Sequence, residues 1–146
     1  MTTTHAIRFD QHGGPEVLQW REQELADPGP GQVLLRQEAI GLNFIDVYHR
    51  TGLYPQPLPG SLGGEAAGVI EAVGPGVEGF AVGDRVGYCT GAPGAYAQRR
   101  VVPVAPLIKL PDDIAFEVAA ASLLKGLTAY YLLHRTRALK AGDVAL

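Results

Sequence analysis

The sequence predicts a mainly β domain with short helices, its antiparallel strands curled into a partly closed barrel. Three observations lead there. A chain of 146 residues can bury one ordinary core without disulfide or metal staples. Its composition is globular, 47% hydrophobic and 18% charged, yet 19 glycines and 11 prolines punctuate it too often for a helical bundle. Between those breaks the segments are short and have strand character.

In the first half the predicted strands are residues 5–10, 17–22, 33–42 and 66–73. The breaks between them include His12-Gly13-Gly14-Pro15, Asp27-Pro28-Gly29-Pro30-Gly31 and Gly74-Pro75-Gly76, where Pro fixes φ and Gly supplies positive φ. One short helix interrupts this series. Asn43 can cap it, Phe44, Val47 and Tyr48 form one apolar face at i, i+3, i+4, and Thr51-Gly52 closes it. Two more strands are expected at 85–89 and 95–102, followed by a Pro-rich connector over 103–111. From Asp112 the pattern turns helical. Asp112 and Asp113 are candidate caps for a helix through 116–121, Gly126 is expected to divide it from a second helix over 127–134, and a strand begins at 144–146.

The net charge of −3, from 12 basic and 15 acidic residues without a Lys/Arg block, speaks against a nucleic-acid partner. No apolar run is long enough for a membrane span, and the first residues lack the basic-then-apolar pattern of a secretory signal. A cytoplasmic location is expected. The single cysteine, Cys89, can form no internal disulfide and points to a reducing compartment.

Several motifs invite chemistry. Gly74, Gly76 and Gly79 spell GxGxxG after a strand, but the second turn signal at Gly83-Asp84 leaves no helix start for a pyrophosphate to meet, so successive β-turns are the expectation. His5, His12, His49 and His134 are dispersed and Cys89 is alone, so no metal site is expected. Cys89 has no base or helix N-terminus beside it in sequence and reads as a structural residue in a strand. Of the six tyrosines, Tyr48 and Tyr54 lie nearest the predicted helix, where they could stack on a flat ligand.

A series of strings then resembles the zinc-free quinone oxidoreductase (zeta-crystallin-like) branch of the medium-chain dehydrogenase/reductase superfamily, over nearly the whole chain. They are His12-Gly13-Gly14-Pro15-Glu16-Val17-Leu18, Ala39-Ile40-Gly41-Leu42-Asn43-Phe44-Ile45-Asp46, Gly52-Leu53-Tyr54-Pro55, Gly64-Glu65-Ala66-Ala67-Gly68-Val69-Ile70, Gly83-Asp84-Arg85-Val86 and Lys125-Gly126-Leu127-Thr128-Ala129-Tyr130. Zinc-dependent members carry a Cys near the position of Asn43 and a His before the Glu of G-H-E-x-x-G. Here Gly64 stands in the place of that His, which leaves Glu65 a structural role.

The resemblance implies a GroES-like, partly open β-barrel over residues 1–125 as the substrate-side domain. Residues 126–146 would then be a connecting helix and the first residues of a Rossmann domain whose phosphate loop falls after Leu146. It further implies NADPH-dependent reduction of a small-molecule quinone, or of an enone or enoyl thioester in a related reductase, by a homodimeric parent; the remaining alternative is that the chain on its own is a binding or assembly module without activity. Catalytic and cofactor-facing positions carried over in this way are Asn43 for a nicotinamide amide or acceptor oxygen, Phe44 and Asp46 for the turn along the cofactor edge, Tyr48 and Tyr54 for the walls, and Lys125 and Thr128 for the ribose side. Spacing alone also accommodates Asn43 as only a cap and Lys125 as a solvated helix end.

Overall fold

The computed structural model describes residues 1–144. The strands are β1 (Thr2–Phe9), β2 (Gln19–Leu25), β3 (Gln32–Gly41), β4 (Gly60–Ser61), β5 (Glu65–Val73), β6 (Arg85–Tyr88), β7 (Arg99–Pro103) and β8 (Ile108–Lys109). The helices are α1 (Phe44–Thr51) and α2 (Phe116–Tyr131). All strand pairs are antiparallel and form two sheets, ordered β2-β1-β4 and β7-β3-β5-β6-β8. The sheets do not close into a complete barrel. They meet through residues 95–98, where Ala6 bridges Ala97, Ile7 N–H donates to the Tyr96 carbonyl at 2.7 Å and Gln98 N–H to the His5 carbonyl at 2.9 Å.

The main core lies inside the larger sheet and is built from Val33, Leu35, Ala66, Ile70, Val86, Tyr88 and Val102. These positions follow the alternation of a half-buried strand. A smaller cluster of Phe9, Val17 and Leu62 packs under the other sheet. On its opposite face the larger sheet carries α2, whose Ala119 and Ala120 bury against Ala67 with Ala39 and Phe116 beside them.

A β-bulge decides which residues of β3 meet α2. Gln37 pairs with Gly68 and Ala39 with Ala67, so Glu38 is an extra residue in the ladder. One extra residue reverses the parity of a strand. Val33 and Leu35 therefore face the core, whereas Ala39 packs with the α2 cluster and Gly41 lies against the helix backbone. A Cβ on Gly41 would collide with the Ala120 carbonyl oxygen and the Glu65 carboxylate, which explains the glycine there.

Several sequence expectations require correction. Pro15 starts a 3-10 turn over Pro15–Val17, which puts Val17 into the core and delays β2 to Gln19. The strand expected at 95–102 begins only at Arg99, because residues 95–98 cross between the sheets. The Gln37 amide ties down this crossing by donating to the Ala95 and Ala97 carbonyls at 2.7 and 2.6 Å. The connector at 103–111 contains β8, paired with Val86 and Gly87. Helix α2 starts after Ala115, not at Asp112 or Asp113, which sit in the preceding turn. It also runs unbroken through Gly126, so the predicted division is absent; packing of Ala119 and Ala120 and the neighbouring turns outweighs the helix cost of about 1 kcal/mol for one glycine. A wide turn over Leu132–Thr136 follows, closed by Arg137 N–H to the Leu132 carbonyl at 3.0 Å. Of the strand expected at 144–146, Val144 has no strand pairing and the remainder lies outside the described residues.

Gly41→Ala is expected to lower stability by about 1 to 3 kcal/mol through overpacking. Gly126→Ala, where a Cβ would meet open space, is expected to raise it by about 0.5 to 1 kcal/mol. Urea unfolding of both variants checks the pair, and a Gly41→Ala midpoint equal to that of the parent would refute the close approach.

Candidate active site

The N-terminus of α1 and the middle of α2 converge on the first residue of β5. Glu65 is fully buried, and it shares a face of β5 with Ala67, so its side chain points at α2. Its Oε1 accepts the Leu124 backbone N–H at 2.7 Å and its Oε2 accepts Asn43 Nδ2 at 2.8 Å. The Lys125 ammonium lies 3.6 Å from Oε2 and donates to Asn43 Oδ1 at 2.9 Å. These partners fix the orientation of the Asn43 amide, since a carboxylate can only accept and an ammonium can only donate.

Asn43 stands at the N-cap with extended backbone, φ −132° and ψ 150°. Asp46, three residues on, accepts the Asn43 backbone N–H at 3.0 Å, the return half of a capping box. Asp46 is itself buried and takes two further donors, Gly63 N–H at 3.2 Å and the Tyr96 hydroxyl at 2.9 Å. It therefore pins α1 to the loop before β5. Burial, and then the hydrogen bond and charge of Asp46, push the Tyr96 phenol well above the usual tyrosine range. Gly52 ends α1 with φ 84°.

The outer face of α1 carries an aromatic row. Phe44 and Tyr48 meet edge to face with centroids 5.3 Å apart, and Tyr48 and Tyr54 are tilted at 5.2 Å. Tyr54 N–H donates to the Tyr48 carbonyl at 3.1 Å, which holds the Tyr54 loop against the helix. Phe44 is 70% exposed and Tyr54 47%.

Of the positions carried over by resemblance, Asn43, Asp46 and Lys125 join one polar network, and Phe44, Tyr48 and Tyr54 form the aromatic row beside it. Thr128 joins neither. Its hydroxyl is exposed and donates back to the Leu124 carbonyl at 2.7 Å. Sequence reasoning gave Glu65 only a structural role, and the structure makes it the centre of the network; the signal was a carboxylate set among Gly64, Ala66, Ala67 and Gly68. Tyr96 was missed, because its partner Asp46 is 50 residues away in sequence.

A cleft of about 270 Å³ opens beside the network, lined by Asn43, Asp46, His49, Gly64, Cys89 and Leu124. Cys89 lies just past β6 and not within a strand, and burial, reinforced by the Glu65 carboxylate, pushes its thiol upward. Both effects lower its thiolate fraction. A roomier groove of about 380 Å³ between the sheets, lined by Trp20, Ile40 and Leu42, holds no charged group and is the weaker candidate for chemistry. Among the described residues no three His, Cys, Asp or Glu side chains come together as a metal site. The GxGxxG at Gly74 to Gly79 runs through turns and opens no helix.

Residues 29–112 match the family model described as the alcohol dehydrogenase GroES-like domain, more than half of the chain. The chain belongs to that family. This GroES-like domain is 55% identical over 141 residues to a quinone oxidoreductase of Pseudomonas aeruginosa, covering 96% of this chain and 43% of that protein. It is 50% identical to a 2-haloacrylate reductase of Burkholderia sp, covering 97% and 44%. Among solved structures, a Pseudomonas syringae quinone oxidoreductase superposes with a TM-score of 0.92 at 55% identity, over 96% of this chain and 43% of that one. The Escherichia coli quinone oxidoreductase complexed with NADPH gives 0.90 at 50% identity, over 95% and 42%. The chain thus spans less than half the length of the relatives it matches. No helix among the described residues is long and apolar enough to cross a membrane.

The Tyr96 to Asp46 bond predicts a pH dependence. Because the folded phenol is held above the unfolded value of about 10, its contribution is complete below that pH and is lost as the pH rises toward the folded value. Tyr88, whose phenol is also pushed up by burial, adds to the same alkaline loss. Tyr96→Phe is expected to cost about 2 kcal/mol at pH 7 and to flatten the decline between pH 9 and 11. Denaturant unfolding across that range checks it; an unchanged slope would count against the assignment.

Proposed function

We propose that this GroES-like domain is the acceptor side of an NADPH-dependent quinone reductase that transfers hydride without a metal. The observation that carries the proposal is the Asn43–Glu65–Lys125 network set beside the aromatic row. A nicotinamide carboxamide offers an acceptor oxygen, and Asn43 fits it with the N–H that Nδ2 keeps after bonding Glu65. When bound, the reduced nicotinamide supplies the hydride.

The chain's own residues then bind, orient and shield. Asn43, oriented by Glu65 and Lys125, fixes the carboxamide or an acceptor oxygen. Phe44, Tyr48 and Tyr54 give flat apolar walls with two phenol tips, matching a quinone ring and its carbonyls. Asp46 keeps this face in place through Gly63 and Tyr96. Lys125 brings positive charge to where an oxyanion develops. Thr128, one turn further along α2, would reach the ribose side only by giving up its bond to the Leu124 carbonyl. Support for a metal-free site comes from the donor set, since the side chains that bond or pair with Glu65 are an amide and an ammonium.

We divide the chain functionally into residues 1–125, the substrate-side unit, and residues 126–146, the connection to a nucleotide-binding part of a homodimeric parent. Helix α2 crosses that boundary intact. A reducing, cytoplasmic setting suits the buried, unpaired Cys89. The 50% identity to a 2-haloacrylate reductase favours a second reading, reduction of an activated alkene on the same framework.

The test is NADPH oxidation with 1,4-naphthoquinone, with and without a chelator, by a polypeptide whose intact mass has been measured. Quinone turnover insensitive to chelator is the expected outcome for a protein about twice the 15.5 kDa of this chain. Turnover with 2-haloacrylate or enals alone would replace the quinone reading with the alkene one. Chelator-sensitive turnover would refute the metal-free mechanism.

A further inference from the structure

Hydride brings two electrons to a quinone and leaves a hydroquinone monoanion, so one oxygen still needs a proton. Of the three side chains Asn43, Glu65 and Lys125, the ammonium is the one able to provide it, with the Tyr48 and Tyr54 phenols of the aromatic row as competing donors. The Lys125 ammonium has three N–H bonds. One is given to Asn43 Oδ1 at 2.9 Å, Glu65 Oε2 lies 3.6 Å away, and the side chain is 57% exposed, which leaves donor capacity facing open space. Lys125 lines a groove of about 390 Å³ with Ile40, Gly41 and Leu42, on the other side of the network from the cleft where His49 is engaged by its Nδ1 with the Tyr54 carbonyl at 3.3 Å. Asp46 and Glu65 act here as acceptors.

We propose that Lys125 donates the proton that completes reduction of the acceptor, and that buried Glu65 is the positioning residue that holds the ammonium and the Asn43 amide for that step. The inference rests on the quinone-reducing reading above. In the step, an N–H bond of Lys125 breaks and an O–H bond forms on the phenolate oxygen, while the electron pair stays on nitrogen as a neutral amine. The amine regains its proton from water, which the exposed side chain admits. The sum is quinone, hydride and one solvent proton giving hydroquinone.

Glu65 suits the positioning role because it grips α2 twice. Its Oε1 holds the backbone N–H of Leu124, and its Oε2 faces the tip of the next residue, Lys125. Full burial and the close approach of Gly41 leave the carboxylate no room to swing away. A long, flexible lysine is thereby held at both ends, which is what a proton donor needs in order to meet a fixed oxygen.

Two measurements test this. In the quinone assay, Lys125→Ala is expected to lower kcat about 100-fold with little change in KM. Lys125→Arg, which keeps the charge but gives up no proton, should be no better, and ethylamine added to Lys125→Ala should restore turnover. A Lys125→Arg protein with full kcat would overturn the proposal, since charge alone would then suffice. The second measurement needs no turnover: 4-nitrophenol, a chromogenic stand-in for the phenolate, should bind in its yellow anionic form to the parent protein, more weakly to Glu65→Gln, and not to Lys125→Ala. Equal binding to parent and Lys125→Ala overturns the contact, and Lys125 keeps this test informative should Glu65→Gln fail to fold. A parent protein that binds nitrophenolate through Lys125 yet reduces no quinone would refute the quinone reading alone.

Discussion

A carboxylate taken out of water costs several kcal/mol unless donors fill its lone pairs, and at Glu65 those donors come from the N-cap of α1, the backbone of α2 and a lysine on α2. Meeting that demand fixes much of the remaining architecture. Helix α2 must lie close to β5, so the centre of the contact is made of Gly41, Ala67, Ala119 and Ala120, with larger side chains such as Phe116 and Leu123 flanking it. The start of α1 must stay within reach of β5, and Asp46 secures it with donors from its own cap, from Gly63 and from Tyr96. Two buried carboxylates thus tie α1, α2 and β5 together in addition to the hydrophobic clusters.

The features readable from sequence are those written in local chemistry. The strand character of 33–42 and 66–73, the helix opened at Asn43 and closed at Gly52, and the turn reading of Gly74 to Gly79 depend on residues within a few positions of one another, where φ preferences and turn chemistry decide the outcome. The features not readable depend on distant partners. Glu38 has nothing in its identity to mark it as a bulge; the extra residue exists because β3 must serve the core at Leu35 and the helix at Gly41. Residues 95–98 have strand composition but spend their backbone groups bridging two sheets. At Gly126 local propensity argued for a break that packing on the preceding turns overrode.

For the site, the family motifs located Asn43, Asp46 and Lys125 but did not say what joins them. The residue that does, Glu65, is conspicuous only once β5 is seen to turn it toward α2. The aromatic row is a different case, since Phe44 and Tyr48 follow from helical spacing whereas Tyr54 joins them through a backbone bond across the end of α1. Polar network and aromatic row are thus built by separate means, one by buried charge and the other by surface packing, and they meet only at the first turn of α1.

Cys89 is the sole thiol in the sequence, and burial, then the nearby Glu65 charge, push it upward. For the experimenter, a buried thiol pushed upward labels more slowly with maleimide than an exposed one. A cysteine placed on an exposed helix position, such as Ser122, could carry a fluorophore or spin label for distance measurements while the natural sulfur stays in place.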